Sequence, residues 1–274
     1  AALAGCMMFT LSVPALAEST DALMQLRMTR RSAVSVLDEE NDMMAEPEYQ
    51  MNLKYGSITV YIGDDGKQYA KQGENDPQKR GNLQITTDGG RTDNTLTIEG
   101  GTTAAKVTLH NVNIDASGAA VSVSGNVELV IAGTNTLHSG TDHAGVEKAD
   151  DNGTLTISGS GTLNAYGGES GAGIGSGSQK GCSNIEIESG IITAHGGEWG
   201  AGIGSGNRAK GNTDILIKGA TKVTAKGGST AAGIGSGNGS NGSTIINIEG
   251  GTITAEGGGK ENGSCQASGA GIGS

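Results

Sequence analysis

Apolar residues alternate with polar ones in short runs, and from residue 154 those runs return on a fixed schedule. A first run reads Thr154-Leu-Thr-Ile157, Asn184-Ile-Glu-Ile187, Asp214-Ile-Leu-Ile217 and Ile246-Asn-Ile248. A second reads Leu163-Asn-Ala165, Ile192-Thr-Ala194, Val223-Thr-Ala225 and Ile253-Thr-Ala255, and glycine pairs follow it at Gly167, Gly196, Gly227 and Gly257. A third is Ala-Gly-Ile-Gly-Ser, starting at Ala172, Ala201, Ala232 and Ala270; its spacing is 29–31 residues until a longer last loop. Alternation with period two marks a strand with one face buried. Three such runs per period make one coil of a parallel β-helix, in which each strand pairs with its equivalent about 4.8 Å away. Leu155/Ile157 and their equivalents then form stacked inward columns. In the third run Ala172, Ile174 and Ser176 share one side and Gly173, Gly175 and Gly177 the other, which predicts a flat outward glycine wall.

Upstream the schedule loosens. Leu96-Thr-Ile98, Val107–Ile114, Ala120–Val123 and Val127–Ile131 read as earlier coils, about six in all. Ser57–Ile62 and Lys67–Ala70 flank Gly63-Asp-Asp-Gly66, a hairpin signal. The expected organisation is a leader over 1–17, a linker over 18–50 that is helical in part, a hairpin or N-terminal cap over 51–80, and the solenoid over 81–274. The pattern stops inside a fourth Ala-Gly-Ile-Gly-Ser, so the solenoid is expected to continue.

Composition sharpens this boundary. Of 50 glycines, 45 lie after position 80, while all three prolines lie before it. Aromatics are only 3%, so the core must be aliphatic. The net charge of −11 lacks the basic footprint of a nucleic-acid binder. The apolar start ends in Ala15-Leu-Ala17 before Glu18, a signal-peptidase pattern, which predicts export to the cell surface or medium. No run is long and apolar enough to span a bilayer as a helix. Past the leader only Cys182 and Cys265 remain, in loops of different coils, and they are read as unpaired thiols.

Gly171-Ala-Gly-Ile-Gly-Ser-Gly177 on a ~30-residue repeat resembles the secreted right-handed β-helix proteins of gut clostridia and their relatives. Val107–Ile114, Ala119–Val123 and Val130–Asn135 are similar to the clostridial β-helix carbohydrate-binding domain family. The resemblance covers about residues 81–274. It implies a right-handed parallel β-helix, an all-β fold, and binding of polysaccharide or cell-wall glycan without catalysis. It transfers no site motif.

The residues themselves offer one candidate surface. Outward positions of the second strand give the column Tyr166, His195, Lys226, Glu256, beside Asn164, Thr193, Thr224, Thr254. Trp199, the only tryptophan, lies just past the corner of the His195 coil. Sugar rings stack on Tyr and Trp, and His, Lys, Glu, Asn and Thr supply hydrogen bonds, so Tyr166, His195, Trp199, Lys226, Glu256, Asn164 and Thr193 are the expected carbohydrate contacts. The flat glycine wall suggests self-association as well. Asp142, His143, Glu147, Asp150 and Asp151 form an acidic loop, read as solvated. Asp142, Asp150 and Asp151 are its candidate ligands for calcium, the one cofactor the chain suggests. Alternatives to glycan binding are a structural stalk or adhesin, and a polysaccharide lyase-like enzyme.

Overall fold

The computed structural model describes residues 49–148, 150, 152–181, 184–259 and 269–273. Cys182, Cys265, Asp151, the leader and nearly all of the linker lie outside them. The described chain is a parallel β-helix with three walls. The first wall has eight strands, the second seven and the third ten. Each coil visits the walls in the same order. In the coil that starts at Leu155, Leu155–Gly159 lies in the first wall, Thr162–Tyr166 in the second and Ile174–Gly175 in the third.

Coil lengths explain why the early repeats are hard to read. Val127 pairs with Ala105, 22 residues earlier, whereas Leu155 pairs with Ile185, 30 residues later. The difference lies in the turns, because the first-wall strands stay in register throughout. Seven coils therefore contribute to all three walls, against the expected six. The coil read only in part is made of Leu83–Thr86, Arg91–Thr92 and Leu96–Glu99, of which the sequence reading has the last strand alone. Its second-wall strand has two residues, too short to show alternation.

Coil pairing starts at Tyr49, earlier than the boundary expected at residue 81. Tyr49–Asn52 runs parallel to Leu83–Thr86, and Ile58–Ile62 runs parallel to Leu96–Glu99. Ile58–Ile62 also pairs antiparallel with Gln68–Gln72, which in turn pairs with Gln78–Lys79. The hairpin thus caps the free edge of the third wall, the edge at which a solenoid is open to unwanted pairing. Gln68 seals the junction: its side-chain amide donates to Gly81 O (2.7 Å), and its oxygen accepts from Lys106 N–H (2.7 Å).

The interior is aliphatic. Leu155, Ile157, Leu163, Ala165 and Ile174 are buried, and so are their equivalents in the next two coils. Every buried Leu, Ile or Val contributes roughly 1.5–3 kcal/mol, and coil-on-coil stacking repeats that gain along the axis. Among the polar side chains that interrupt the core, Asn135 and Lys148 are fully buried and bonded within it. Asn135 is fully buried; its Oδ1 accepts from Val112 N–H (3.0 Å), and its Nδ2 donates to Ala132 O (3.0 Å) and Thr162 O (3.2 Å). It ties three successive coils together in one register. Lys148 pairs in register with Val123 and so occupies the inward row of the third wall, fully buried. Its ammonium forms an ion pair with Asp150 and donates to the backbone carbonyls of Asp150 (3.0 Å) and Asn152 (2.6 Å).

The glycine wall differs from expectation. Residues 171–177 are all buried, glycines included. The first three Ala-Gly-Ile-Gly-Ser runs close on themselves, Ala172 N–H donating to Ser176 O (3.1 Å), Ala201 N–H to Ser205 O (3.0 Å) and Ala232 N–H to Ser236 O (3.0 Å). A Cβ on Gly173 would lie 2.6 Å from both Gly202 O and His195 N. The outward side of this run is thus filled by the backbone of the next coil and of the second wall. It is no open face, and the physical basis for self-association through it is gone.

Candidate functional site

The second wall carries the longest continuous array of outward polar side chains. Strand register sets it: Thr136 pairs with Asn113 and Asn164, Asn164 with Thr193, Thr193 with Thr224, and Thr224 with Thr254. That is one column of Asn and Thr over six coils, with the ~4.8 Å coil pitch between rungs. Beside it runs a second column, Asp115, His138, Tyr166, His195, Lys226, Glu256, also in unbroken register. Inward partners such as Leu163, Ala165, Ile192 and Ala194 anchor each rung from behind. The wall is therefore rigid and regular because its other face is core.

Three rings of the second column stack. The His138 and Tyr166 centroids are 4.2 Å apart with planes 1° from parallel, and Tyr166 and His195 are 5.1 Å apart at 5°. The column expected from the sequence begins at Tyr166 and leaves out His138. The signal was available, since Thr134-Asn-Thr-Leu-His138 aligns position by position with Thr162-Leu-Asn-Ala-Tyr166. The stack changes what Tyr166 can do. Both its faces are covered by imidazoles, so it cannot receive a sugar ring on its face. The wall instead presents ring edges, the phenolic hydroxyl and the imidazole nitrogens, all hydrogen-bonding groups.

Burial pushes the His138 imidazole below its ordinary pKa, and the Arg91 charge adds to this. His195 is lowered likewise, first by burial and then by Lys226, with Glu256 opposing. A lowered folded-state pKa means that the fold favours neutral imidazole. The stabilisation is fully present above the unfolded value of about 6.5 and is lost as pH falls through the folded values. Two NMR imidazole titrations should therefore have midpoints below about 6.5, and Lys226→Gln should raise the His195 midpoint while leaving that of His138 in place. Midpoints at or above the unfolded value would contradict the stack's desolvation.

The other expected contacts divide. Lys226 and Glu256 continue the ring column and are exposed. With His195, Glu198, Ser229 and the glycine corners beside them, they border an open depression of about 570 Å³ at the edge of the wall. Trp199 is not part of the stack. It is half-buried in the turn before Ile203–Gly204, its N–H donating to Glu169 O (3.0 Å) and its carbonyl accepting from Asn238 N–H (2.9 Å). Asn207 N–H makes the same bond to Ser170 O (2.8 Å), so Trp199 fills the place that Ser170 holds one coil earlier.

The acidic loop is not solvated as expected. Glu147 is 2% exposed. Its Oε2 meets His143 Nδ1 (2.9 Å) and accepts from Ala144 N–H (3.1 Å), while its Oε1 accepts from Lys180 Nζ (2.8 Å). The longer turn of this coil folds back over the carboxylate, and Lys180 arrives from the next coil. Asp150 is held by Lys148 and by Gly125 N–H (3.2 Å), Asp142 is exposed in the preceding turn, and Asp151 lies outside the described residues. Among the described residues no group of three or more His, Cys, Asp or Glu side chains comes together to hold a metal ion.

A family model described as beta helix repeat matches residues 155–178, 185–207, 215–238 and 246–274, one match for each regular coil. No curated protein and no solved structure matches the chain. The similarity supports a β-helix family and agrees with the three-walled architecture.

Proposed function

We propose that this protein is an exported, cell-surface β-helix that binds a polysaccharide or cell-wall glycan along its second wall, as a non-catalytic module of an adhesin-like protein. The observation that carries the reading is the unbroken Asn113–Thr136–Asn164–Thr193–Thr224–Thr254 column beside the ring-edge column. A linear polymer laid along the axis meets an equivalent set of donors and acceptors at every coil, because the coil pitch is close to the rise of one sugar in an extended chain. Thr and Asn, with their short side chains, are well suited to bond hydroxyl groups that point both ways. The leader pattern ending at Ala17 supports export.

Recognition by edges and hydroxyls has an energetic consequence. One hydrogen bond nets about 0.5–1.5 kcal/mol, so a single sugar gains little, and useful affinity needs several rungs engaged at once. Calorimetric titration with β-linked oligosaccharides of increasing length should show affinity rising stepwise and levelling off once the column's length is spanned. Affinity independent of length would remove the ladder reading.

A further inference from the structure

Four of the five tyrosines lie before residue 70, in the leading coil and its hairpin. Each has a neighbour on its ring. Tyr61 and Tyr69 stack at 5.7 Å across the hairpin, and the Arg80 guanidinium covers Tyr49 at 4.7 Å from the ring centre. The Lys54 ammonium lies over one face of Tyr55, 4.9 Å from the ring centre, yet at 73% Tyr55 is the most exposed large apolar or aromatic side chain among the described residues. Local structure puts it there. Leu53–Tyr55 is a single 3-10 turn, begun by Asn52, whose side chain accepts from Lys54 N–H (3.0 Å), and closed by Gly56 N–H to Leu53 O (3.1 Å). Leu53 is fully buried and pins the turn inward, which throws Tyr55 outward.

Beside Tyr55 opens a cleft of about 380 Å³ lined by Gln50, Met51, Asn52, Gln72, Thr86 and Asp88. Its polar side chains are fixed before any ligand arrives. Gln72 Nε2 donates to Asn52 O (2.7 Å) and Gly56 O (2.9 Å), Asn52 Nδ2 donates to Asp88 Oδ2 (2.6 Å), and Asp88 N–H donates to Thr86 Oγ1 (2.9 Å). Asp88 sits at φ 52, a left-handed conformation uncommon for a residue other than glycine and more frequent where function demands a set geometry. Gln72 Oε1 and Asp88 Oδ1 take part in none of these bonds, and Gln50 lines the same cleft. Lys54 Nζ lies 3.7 Å from Asp88 Oδ2, so the cleft's charges offset each other.

We propose that this cleft is a saccharide subsite for a neutral pyranose. The C–H face of the sugar lies on the face of the Tyr55 ring that Lys54 leaves open, and its hydroxyl rim bonds to Gln50, Gln72 and Asp88. An aromatic face beside convergent amide and carboxylate groups suits a ligand that is apolar on its faces and polar around its rim. The subsite shares no residue with the second-wall columns and does not rest on the ladder reading.

The test is saturation-transfer NMR on the full chain with glucose, galactose and xylose as probes. The proposal expects transfer to at least one of them, at least a tenfold loss of affinity in Tyr55→Ala, and retention in Tyr55→Phe and in Thr193→Val. Because Tyr55 is largely solvent-exposed, its removal leaves the fold intact, which a thermal melt verifies. No transfer to any probe would overturn the proposal. So would full transfer in Tyr55→Ala, or transfer lost in Thr193→Val but kept in Tyr55→Ala, which would assign the sugar to the second wall.

Discussion

Gly204→Ala should unstack the solenoid at its middle, with a loss on the order of 3 kcal/mol or more. Gly204 has φ 134, a backbone region that L side chains rarely enter, and an added Cβ would run into Gly235 O of the next coil. Gly175 stands in the same relation to Gly204, with φ 141. The position therefore recurs because stacked coils bring one backbone against the next, not because a turn happens to need flexibility. A solenoid's stability is close to a sum over coils and their interfaces, so the damage should stay local. Hydrogen exchange should quicken on both sides of residue 204, while the coils near residue 105 keep their protection. Gly118→Ala is the control: a Cβ there meets nothing within 4 Å, and melting should be almost unchanged. Equal melting of the two variants would refute close backbone stacking as the reason for glycine.

Asp150→Ala should cost roughly 3–5 kcal/mol, because it leaves the Lys148 ammonium in the core without its counter-charge. Lys148 is fully buried, and only carbonyl oxygens of Asp150 and Asn152 would remain as partners. Lys148→Met should cost much less, since replacing a buried charge by an apolar side chain of similar volume is often close to neutral. Urea midpoints of the two variants measure the asymmetry. The reverse order, with Lys148→Met the more damaging, would show that the pair itself stabilises the fold.

These two positions also show what a sequence can and cannot reveal about this chain. The regular coils were legible because Leu155/Ile157, Leu163/Ala165 and Ile174 repeat at near-constant spacing, and one burial rule explains them all. Lys148 was not legible. Alternation in Val146-Glu-Lys148 puts the lysine inward, but a lone lysine is ordinarily read as solvated, and only the register with Val123 fixes its direction. The early coils were only partly legible, because shorter turns and a two-residue strand at Arg91–Thr92 broke the period. The glycine wall was misread because strand parity describes an extended run, whereas Ala172–Ser176 closes on itself through its own hydrogen bond.

For the candidate site, the column Tyr166–His195–Lys226–Glu256 followed from register alone, and register placed it correctly on one wall. What parity could not give was ring orientation. The rings stack along the axis because successive rungs are one coil pitch apart, close to the contact distance of aromatic faces. That geometry takes Tyr166 out of service as a stacking platform and shifts the weight of the functional proposal to Asn164, Thr193 and Thr224. Trp199 lies where the sequence put it, just past the corner of the His195 coil, but in a turn, where strand register no longer sets which way a side chain faces.

The most direct test of glycan binding along the second wall is calorimetric titration of a hexasaccharide that binds the wild-type protein, using Thr193→Val and Thr224→Val. Valine keeps the shape and the strand propensity and removes only the hydroxyl, so each variant should melt like the wild type. Each variant should bind severalfold more weakly, and the pair about tenfold or more, as two adjacent rungs lose roughly 0.5–1.5 kcal/mol apiece. Wild-type affinity in the double variant would contradict binding along the second wall.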